Sequence, residues 1–437
     1  MSTGEENGEL LSVPGDTIAG NWTAGAAESY TTPWPHPTSS SGDEMDVAAE
    51  SARLKTAVPS VYLDQWVWVR LTRAAGGTPR EPSDTRMLDA VRQAAEAGVV
   101  FPLSVTHYQE TNRITHPRQR TDLARTMALI SHCRTLCSER ILLRDQFLEA
   151  MHLSFGKPAF GRTPPEPLGI GVGWALTGKR LQLQLHRSSC VVDLATLPEL
   201  ADGFRRATQY TEYQLLAGPQ DEDMPHLRQL GYRPEKLEEG RQSRLDWETF
   251  FADLLAEDPI SAAELRVRVQ AREIIHEHLR LLTELCAEYR LNLQQATGVD
   301  PARPKASRRR ISAFADLVPS VRVAVDVKAH RFRNAAKEWD LNTVHDIDAV
   351  SLAVPYCHAV VPDREIADLL GRSKAGPRNA THVLRGLRDL PDLLADLTRT
   401  AAASPHRVSD EDWVGQGEEF CMTMEDLQHH GTAPAGG

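Results

Sequence analysis

Cysteine is scarce in this chain, with six in 437 residues, and the six are scattered. Such spacing does not build a disulfide framework. Cys133 and Cys137 lie four apart, but no second close pair follows them, so a structural zinc site is not expected. Long apolar runs are also missing, and no stretch reaches the length needed to span a bilayer. The opening residues, MSTGEENGEL, are acidic and lack the basic-then-apolar order of a secretory signal. Together these absences lead us to expect a cytoplasmic protein without a membrane partner. No lysine and serine or threonine follow the glycines of GIGVGW (169–174), so a nucleotide P-loop is not supported. No serine or cysteine stands in a nucleophile-elbow or papain-like context.

What is present is globular: 41% hydrophobic and 25% charged residues, in a length that suits two or three domains. The net charge of -11 is unevenly spread. Residues 1–57 hold nine acids against two bases, and residues 400–437 seven against one, which leaves +2 for residues 58–399. A polyanionic partner is therefore not excluded, because the local field governs encounter. The two ends are rich in Gly, Ser, Thr, Pro and acids and have no period of two or of 3.6. They bury too little to offset ordering entropy and are expected to be a disordered acidic leader and tail.

From Val58 the pattern changes. VPSVYL reads as a strand, and Asp64 follows it at the head of a helical QWVWVRLTRA. Ser83 is placed to cap a helix through Ala97, VVFPLS (99–104) is of strand length, and SVTHYQETNRI starts a helix. Residues 118–135 read as a further helix. Alternating elements of this kind argue for a parallel sheet. Residues 139–318 are expected to be a mainly helical insert or subdomain, with the best helical period in 262–292. Residues 319–399 return to α/β character. Val321, Val323, Val325 and Val327 alternate as a strand would, yet Phe332, Ala336 and Trp339 extend a helical period, and helix is preferred. LNTVHDIDAVSLAV gives a helix capped by Asn342 and broken at Pro355, HAVVP a strand, and REIADLLGR a helix after Asp363.

Acids recur at one kind of place. Asp64 and Asp363 each follow a strand, Glu110 lies a turn into the helix after VVFPL, and Asp346 and Asp348 open a helix. In an open parallel sheet, strand C-termini and helix N-termini share one edge, where ligands bind. Carboxylates that converge there repel one another unless a cation neutralises them, and a hard divalent ion does so. Taken singly, each acid is more simply a helix cap.

VYLDQWVWVRL, PLSVTHYQETNR and HDIDAVSLAVPYCHAVVPDREI together resemble the PIN-like nuclease superfamily, over roughly residues 58–138 and 320–390. The resemblance implies an α/β fold, a PIN-like parallel sheet flanked by helices, here with a large mainly helical insert. It implies Asp64, Glu110, Asp348 and Asp363 as catalytic residues and ligands of Mg²⁺ or Mn²⁺, with Asp346 a neighbour able to displace Asp348. It further implies a hydrolase, most often an endoribonuclease cutting RNA with metal-activated water, with DNA left open. Members serve as toxins, in defence or in RNA turnover, so an antitoxin-like protein regulator is a partner to expect. The interval from Glu110 to Asp346 is far longer than in compact members, which leaves substrate choice to residues 139–318. The rival reading is a non-catalytic interaction protein on a degenerate PIN-like fold, working through that segment.

Other residues carry weaker signals. His107 and His116 flank Glu110, and Arg113 sits one turn beyond it; packing or a salt bridge competes with phosphate contact for all three. RPKASRRR (303–310), with Lys328, Arg331, Arg333 and Lys337, is able to track an RNA backbone, against a solvated helix face as the simpler reading. Trp66 and Trp68 are better placed for core packing than for base stacking.

Overall fold

The computed structural model describes residues 53–154, 163–180 and 198–403, apart from 299, 301, 335 and 336, with short stretches at 182–184, 186–187, 190–191 and 419–421. Most of the leader and tail expectations concern residues outside these. The described part is mixed α/β and mostly helical.

In chain order, the first half runs β1 (Val61–Leu63), α1 (Gln65–Ala75), α2 (Pro82–Glu96), α3 (Val105–Arg113), α4 (Pro117–Ser131), β2 (Arg134–Leu136), α5 (Glu139–Ser154), β3 (Leu168–Ile170) and α6 (Gly171–Thr177). The helical middle runs α7 (Pro198–Ala217), α8 (Met224–Gln229), α9 (Pro234–Glu257), α10 (Ala262–Arg272), a π-helical turn (Glu273–Glu277), α11 (Leu279–Glu288), α12 (Leu293–Thr297) and α13 (Pro304–Asp316). The last part runs α14 (Pro319–Phe332), α15 (Leu341–Tyr356), β4 (Ala359–Val361), α16 (Arg364–Ser373), α17 (Ala375–Arg378), β5 (His382–Val383) and α18 (Leu390–Ala403).

The central sheet is parallel, in the order β1-β4-β5. Val61 stands opposite Ala359, Leu63 opposite Val361, and Val360 opposite Val383. The expected strand over 99–104 is realised only as isolated parallel bridges, Ser60 to Val100 and Leu103 to Thr135, which join β2 to the far side of β1. The helix expected over 118–135 stops early, and Arg134 and Thr135 instead join Leu136 in β2: His132 and Cys133 adopt left-handed backbone at φ 50° and 52°, which ends α4 before them.

Alternation along β1 assigns its faces. Val61 and Leu63 join Ala359 and Val361 in a core with α1, α2, α4 and α18, while Tyr62 and Val360 point into a second core with α5, α14, α15 and α16. A third core joins α5, α10, α11, α13 and α14, where the rings of Phe147 and Phe314 stack 6.0 Å apart. Residues 139–318 are mainly helical, as expected. They share their core with α14, so they do not bury an apolar centre of their own. Helix α14 replaces the alternative strand: Val321, Val323, Val325 and Val327 are all buried because both of its sides are covered. Helix α15 is capped by Asp340, not Asn342: the Asp340 Oδ1 accepts the Thr343 N–H at 2.7 Å. It runs through Pro355 to Tyr356, one residue before its extended Cys357 cap. The Lys55 ammonium donates to the Val354 and Cys357 carbonyls at 2.9 and 2.8 Å, so residues before Val58 already clasp the end of α15.

Candidate functional site

The C-terminal ends of β1 and β4 meet at one edge of the sheet. The Asp64 N–H donates to the Val361 carbonyl at 3.2 Å, which continues the ladder one residue past β1. The Asp64 carboxylate does not cap its own helix. Its Oδ2 accepts the Asp363 N–H at 3.1 Å and ties the two strand ends together. Asp363 caps α16 through the Ile366 N–H at 2.6 Å, so for this residue the simple capping role is real and uses one oxygen.

Glu110 is brought to the same edge by a buried histidine. The His107 Nδ1 accepts the Ser104 N–H at 3.0 Å, so Nε2 carries the proton and donates to the Leu63 carbonyl at 2.8 Å. Burial lowers its pKa to about 4. A neutral His107 therefore pins the start of α3 to the residue before Asp64, while the Tyr62 hydroxyl meets Ser104 and Thr106 at 3.0 and 3.2 Å.

Asp346 and Asp348 are about 200° apart around α15. They face different neighbours. Asp348 is gripped by Arg244 of α9, whose Nη1 and Nη2 donate to Oδ2 and Oδ1 at 2.7 and 2.8 Å. Although burial opposes it, Arg244 lowers the Asp348 pKa. Asp346 instead feels Asp64, Asp363 and Glu110, and burial with this repulsion pushes its pKa up to about 9. Burial first, then Asp64, raises Glu110 to about 7, and burial first, then Asp363, raises Asp64 to about 6. Of the five acids expected from sequence, four therefore share one electrostatic neighbourhood: Asp64, Glu110, Asp346 and Asp363. Asp348 is not among them, because a guanidinium roughly one hundred residues earlier claims it.

The four acids have little cationic compensation. Arg113 and Arg241 act on Glu110, but both turn to Glu238, at 3.5 and 3.2 Å. The buried His345 places Nδ1 3.9 Å from Glu110 Oε1 and leaves Nε2 with no hydrogen-bond partner among the described residues. Burial lowers its pKa, so it supplies no charge. As the side chains lie, no three His, Cys, Asp or Glu among the described residues are gathered closely enough to enclose a metal ion. The donors themselves fit a hard divalent cation: they are carboxylate oxygens, half-buried and short of positive charge.

Behind α15, on the side of Asp348, lies a separate cavity of about 280 Å³. Its wall holds a salt-bridge network in which Lys328 donates to Glu248 and Glu273 at 2.8 and 2.6 Å, and Arg244 meets Glu277 at 3.2 Å. Glu139, with Asp348 beside it, is raised by burial to about 7. None of the four clustered acids lines this cavity.

Apart from Arg113, several of the weaker sequence candidates have structural roles. Lys328 and Arg331 are buried in ion pairs, Lys337 pairs with Glu365 at 2.7 Å, and Arg308 pairs with Glu264 at 2.5 Å, so these four cations are already engaged by acids. His116 precedes α4 as an exposed N-cap position, Trp68 is fully buried, and Trp66 packs on the first core. In the glycine-rich turn the Val172 N–H is taken by the Glu212 carboxylate at 2.9 Å, where a P-loop would hold phosphate. Sequence reasoning missed Arg241, Arg244 and His345. The two arginines sit a turn apart on α9 with no motif around them, and His345 was passed over beside the more conspicuous aspartates.

No family model, no curated protein and no solved structure matches the chain. No helix among the described residues is long and apolar enough to cross a membrane.

Proposed function

We propose that this protein is a metal-dependent nuclease of PIN-like organisation, most directly an endoribonuclease. One observation carries the reading: Asp64, Glu110, Asp346 and Asp363 come from four separate chain segments at the C-terminal edge of a parallel sheet, where burial and the neighbouring carboxylates hold Asp64, Glu110 and Asp346 above the usual carboxylate range with little cationic compensation. Structural acids acquire partners, as Asp348 and Asp326 do here; acids left facing each other are arranged to receive a positive charge. These four would hold Mg²⁺ or Mn²⁺, and the ion would activate water and offset charge on a phosphodiester. The chain's own residues do the rest. Asp64 locks the ends of β1 and β4 in register, His107 fixes the height of Glu110, and Arg244 holds α15 so that Asp346 turns toward the edge. Arg113, one helix turn from Glu110, and Arg241 of α9 share a single partner, Glu238, and are available to a phosphate. RNA is preferred to DNA on the PIN-like resemblance.

The non-catalytic reading has one observation in its favour, that no three of the acids already enclose an ion-sized space. A crystal soaked in Mn²⁺ separates the two. The nuclease reading expects an anomalous peak between Asp64, Glu110, Asp346 and Asp363, with side chains rotated toward it. No peak at millimolar Mn²⁺, with the edge open to solvent, supports the degenerate fold.

A further inference from the structure

Many arginines in the helical half have an acidic partner: Arg140 meets Glu284, Arg144 meets Glu288, Arg268 meets Glu264 and Arg272 meets Glu248. One surface departs from this. Between α1 and α4 runs an open groove of about 870 Å³, into which Arg73, Arg92, Arg118 and Arg125 project, with Asp122 as the single acid. Arg118 and Asp122 are 3.9 Å apart and well exposed, a contact of little strength. Arg73, Arg92 and Arg125 form no ion pair among the described residues. In a chain of net charge -11, four arginines against one acid make a local excess of positive charge along this groove.

The groove also has an apolar wall. Leu129 is 63% exposed and Val69 39%, two of the large apolar side chains left in water. Its position is as informative as its lining. Helix α1 begins beside Asp64, so Val69 stands about 7 Å and Arg73 about 13 Å along its axis from the acid edge. Ile114, the residue after α3, lines the groove one turn beyond Glu110. Along α1 the groove therefore starts about 7 Å from Asp64 and runs away from the acid edge.

We propose that this groove seats a single-stranded nucleic acid, its phosphates on Arg73, Arg92, Arg118 and Arg125 and its bases against Val69 and Leu129, as the flank of the strand presented to the acid edge. Unpaired guanidinium groups match phosphate in charge and shape. The apolar wall favours a strand whose bases are free over a duplex, which turns its bases inward. With aliphatic and not aromatic side chains at the wall, affinity comes mainly from phosphate contacts, so binding is tolerant of sequence and steeply dependent on salt. The position of the cut rests on the nuclease reading above; the binding itself does not.

The test measures fluorescence polarisation of labelled single-stranded RNA and DNA with the full chain in EDTA, so that no cleavage is needed. Arg73→Ala with Arg125→Ala, both exposed, should weaken binding of either strand at least about tenfold and reduce the slope of log K against log salt by about 1.4, at about 0.7 per phosphate contact. Arg385→Ala, at an exposed pair with Asp368 far along the chain, should change neither by more than about twofold in affinity. Unaltered affinity and slope in the double variant, with its thermal midpoint unchanged, would overturn the proposal. So would tighter binding of duplex than of single strand, tighter binding of polyglutamate than of either oligonucleotide, or no binding by wild type at low salt. If the double variant loses binding but no cleavage is found under any metal, the groove stands and the nuclease reading falls. If cleavage needs Asp346 while the double variant binds normally, the groove alone is wrong.

Discussion

Two aspartates two residues apart on α15 should respond in opposite directions to the same substitution. Asp346 has its pKa pushed up to about 9, by burial and then by Asp64, Asp363 and Glu110. A carboxyl held above its unfolded value of 3.8 contributes stability that is complete below that value and is lost as pH rises through the folded one. At pH 8 without divalent ions, the folded protein must hold a proton there or bear an extra charge. Asp346→Asn removes that burden. The full shift would correspond to about 7 kcal/mol at about 1.4 kcal/mol per unit. Asp64, Glu110 and Asp346 are each held up partly by neighbouring carboxylates, and water reaches half-buried groups, so the expected gain is about 1–2 kcal/mol. Asp348→Asn removes the bidentate partner of Arg244 and leaves that guanidinium with Glu277 at 3.2 Å. Both side chains are partly solvated, so the expected loss is about 1–3 kcal/mol. Thermal midpoints in EDTA at pH 8 should therefore rise by a few degrees for Asp346→Asn and fall for Asp348→Asn. Near pH 4 the Asp346→Asn gain should largely disappear, because the wild-type carboxyl is protonated when folded and close to half protonated when unfolded. A lower midpoint for Asp346→Asn at pH 8 would refute the account of a strained acid edge.

Further outcomes follow from the same geometry. Lys328→Met strands the buried Glu273 and leaves Glu248 with Arg272 alone, and urea unfolding should show a loss of about 3–5 kcal/mol; a loss below about 1 kcal/mol would mean the network is solvated. His107→Ala cuts both the Ser104 and Leu63 bonds, so it should destabilise by about 2–3 kcal/mol and, in the fraction still folded, slow cleavage by loosening Glu110; unchanged cleavage would remove His107 from the positioning role. Mn²⁺ should raise the thermal midpoint at pH 8 and much less at pH 5, where protons compete for Asp64, Glu110 and Asp346; an equal rise at both would place the ion elsewhere.

The strands carrying Asp64 and Asp363 were legible because short β-branched runs ended directly in an acid and a helix. For 320–338 helix is preferred over the alternating valines on the spacing of Phe332, Ala336 and Trp339; α14 is a helix that starts at Pro319, a residue suited to a first turn, and ends at Phe332, short of Trp339. The rotation of α15 was not legible. Asp346 and Asp348 both open a helix, and what separates them is Arg244, on an element with no motif. Strand β2 escaped because only three residues pair, after a left-handed turn at His132 and Cys133 that no glycine announces. The basic run misled for a related reason: charge in sequence does not say whether a guanidinium meets solvent or, as for Arg331, a buried glutamate partner. The unpaired arginines of the α1–α4 groove come from three helices and form no run at all.

The central claim is that Asp346, with Asp64, Glu110 and Asp363, forms a metal-dependent cleavage site. Its most direct test is single-turnover cleavage of end-labelled RNA in Mn²⁺ by wild type, Asp346→Asn and Asp348→Asn, each corrected for its folded fraction. The account predicts cleavage by wild type that stops in EDTA. It predicts a fall for Asp346→Asn larger than the roughly 10–100-fold typical of losing an outer-shell partner, with Asp348→Asn held within that range. Cleavage by Asp346→Asn at the wild-type rate, or by wild type in excess chelator, would contradict it.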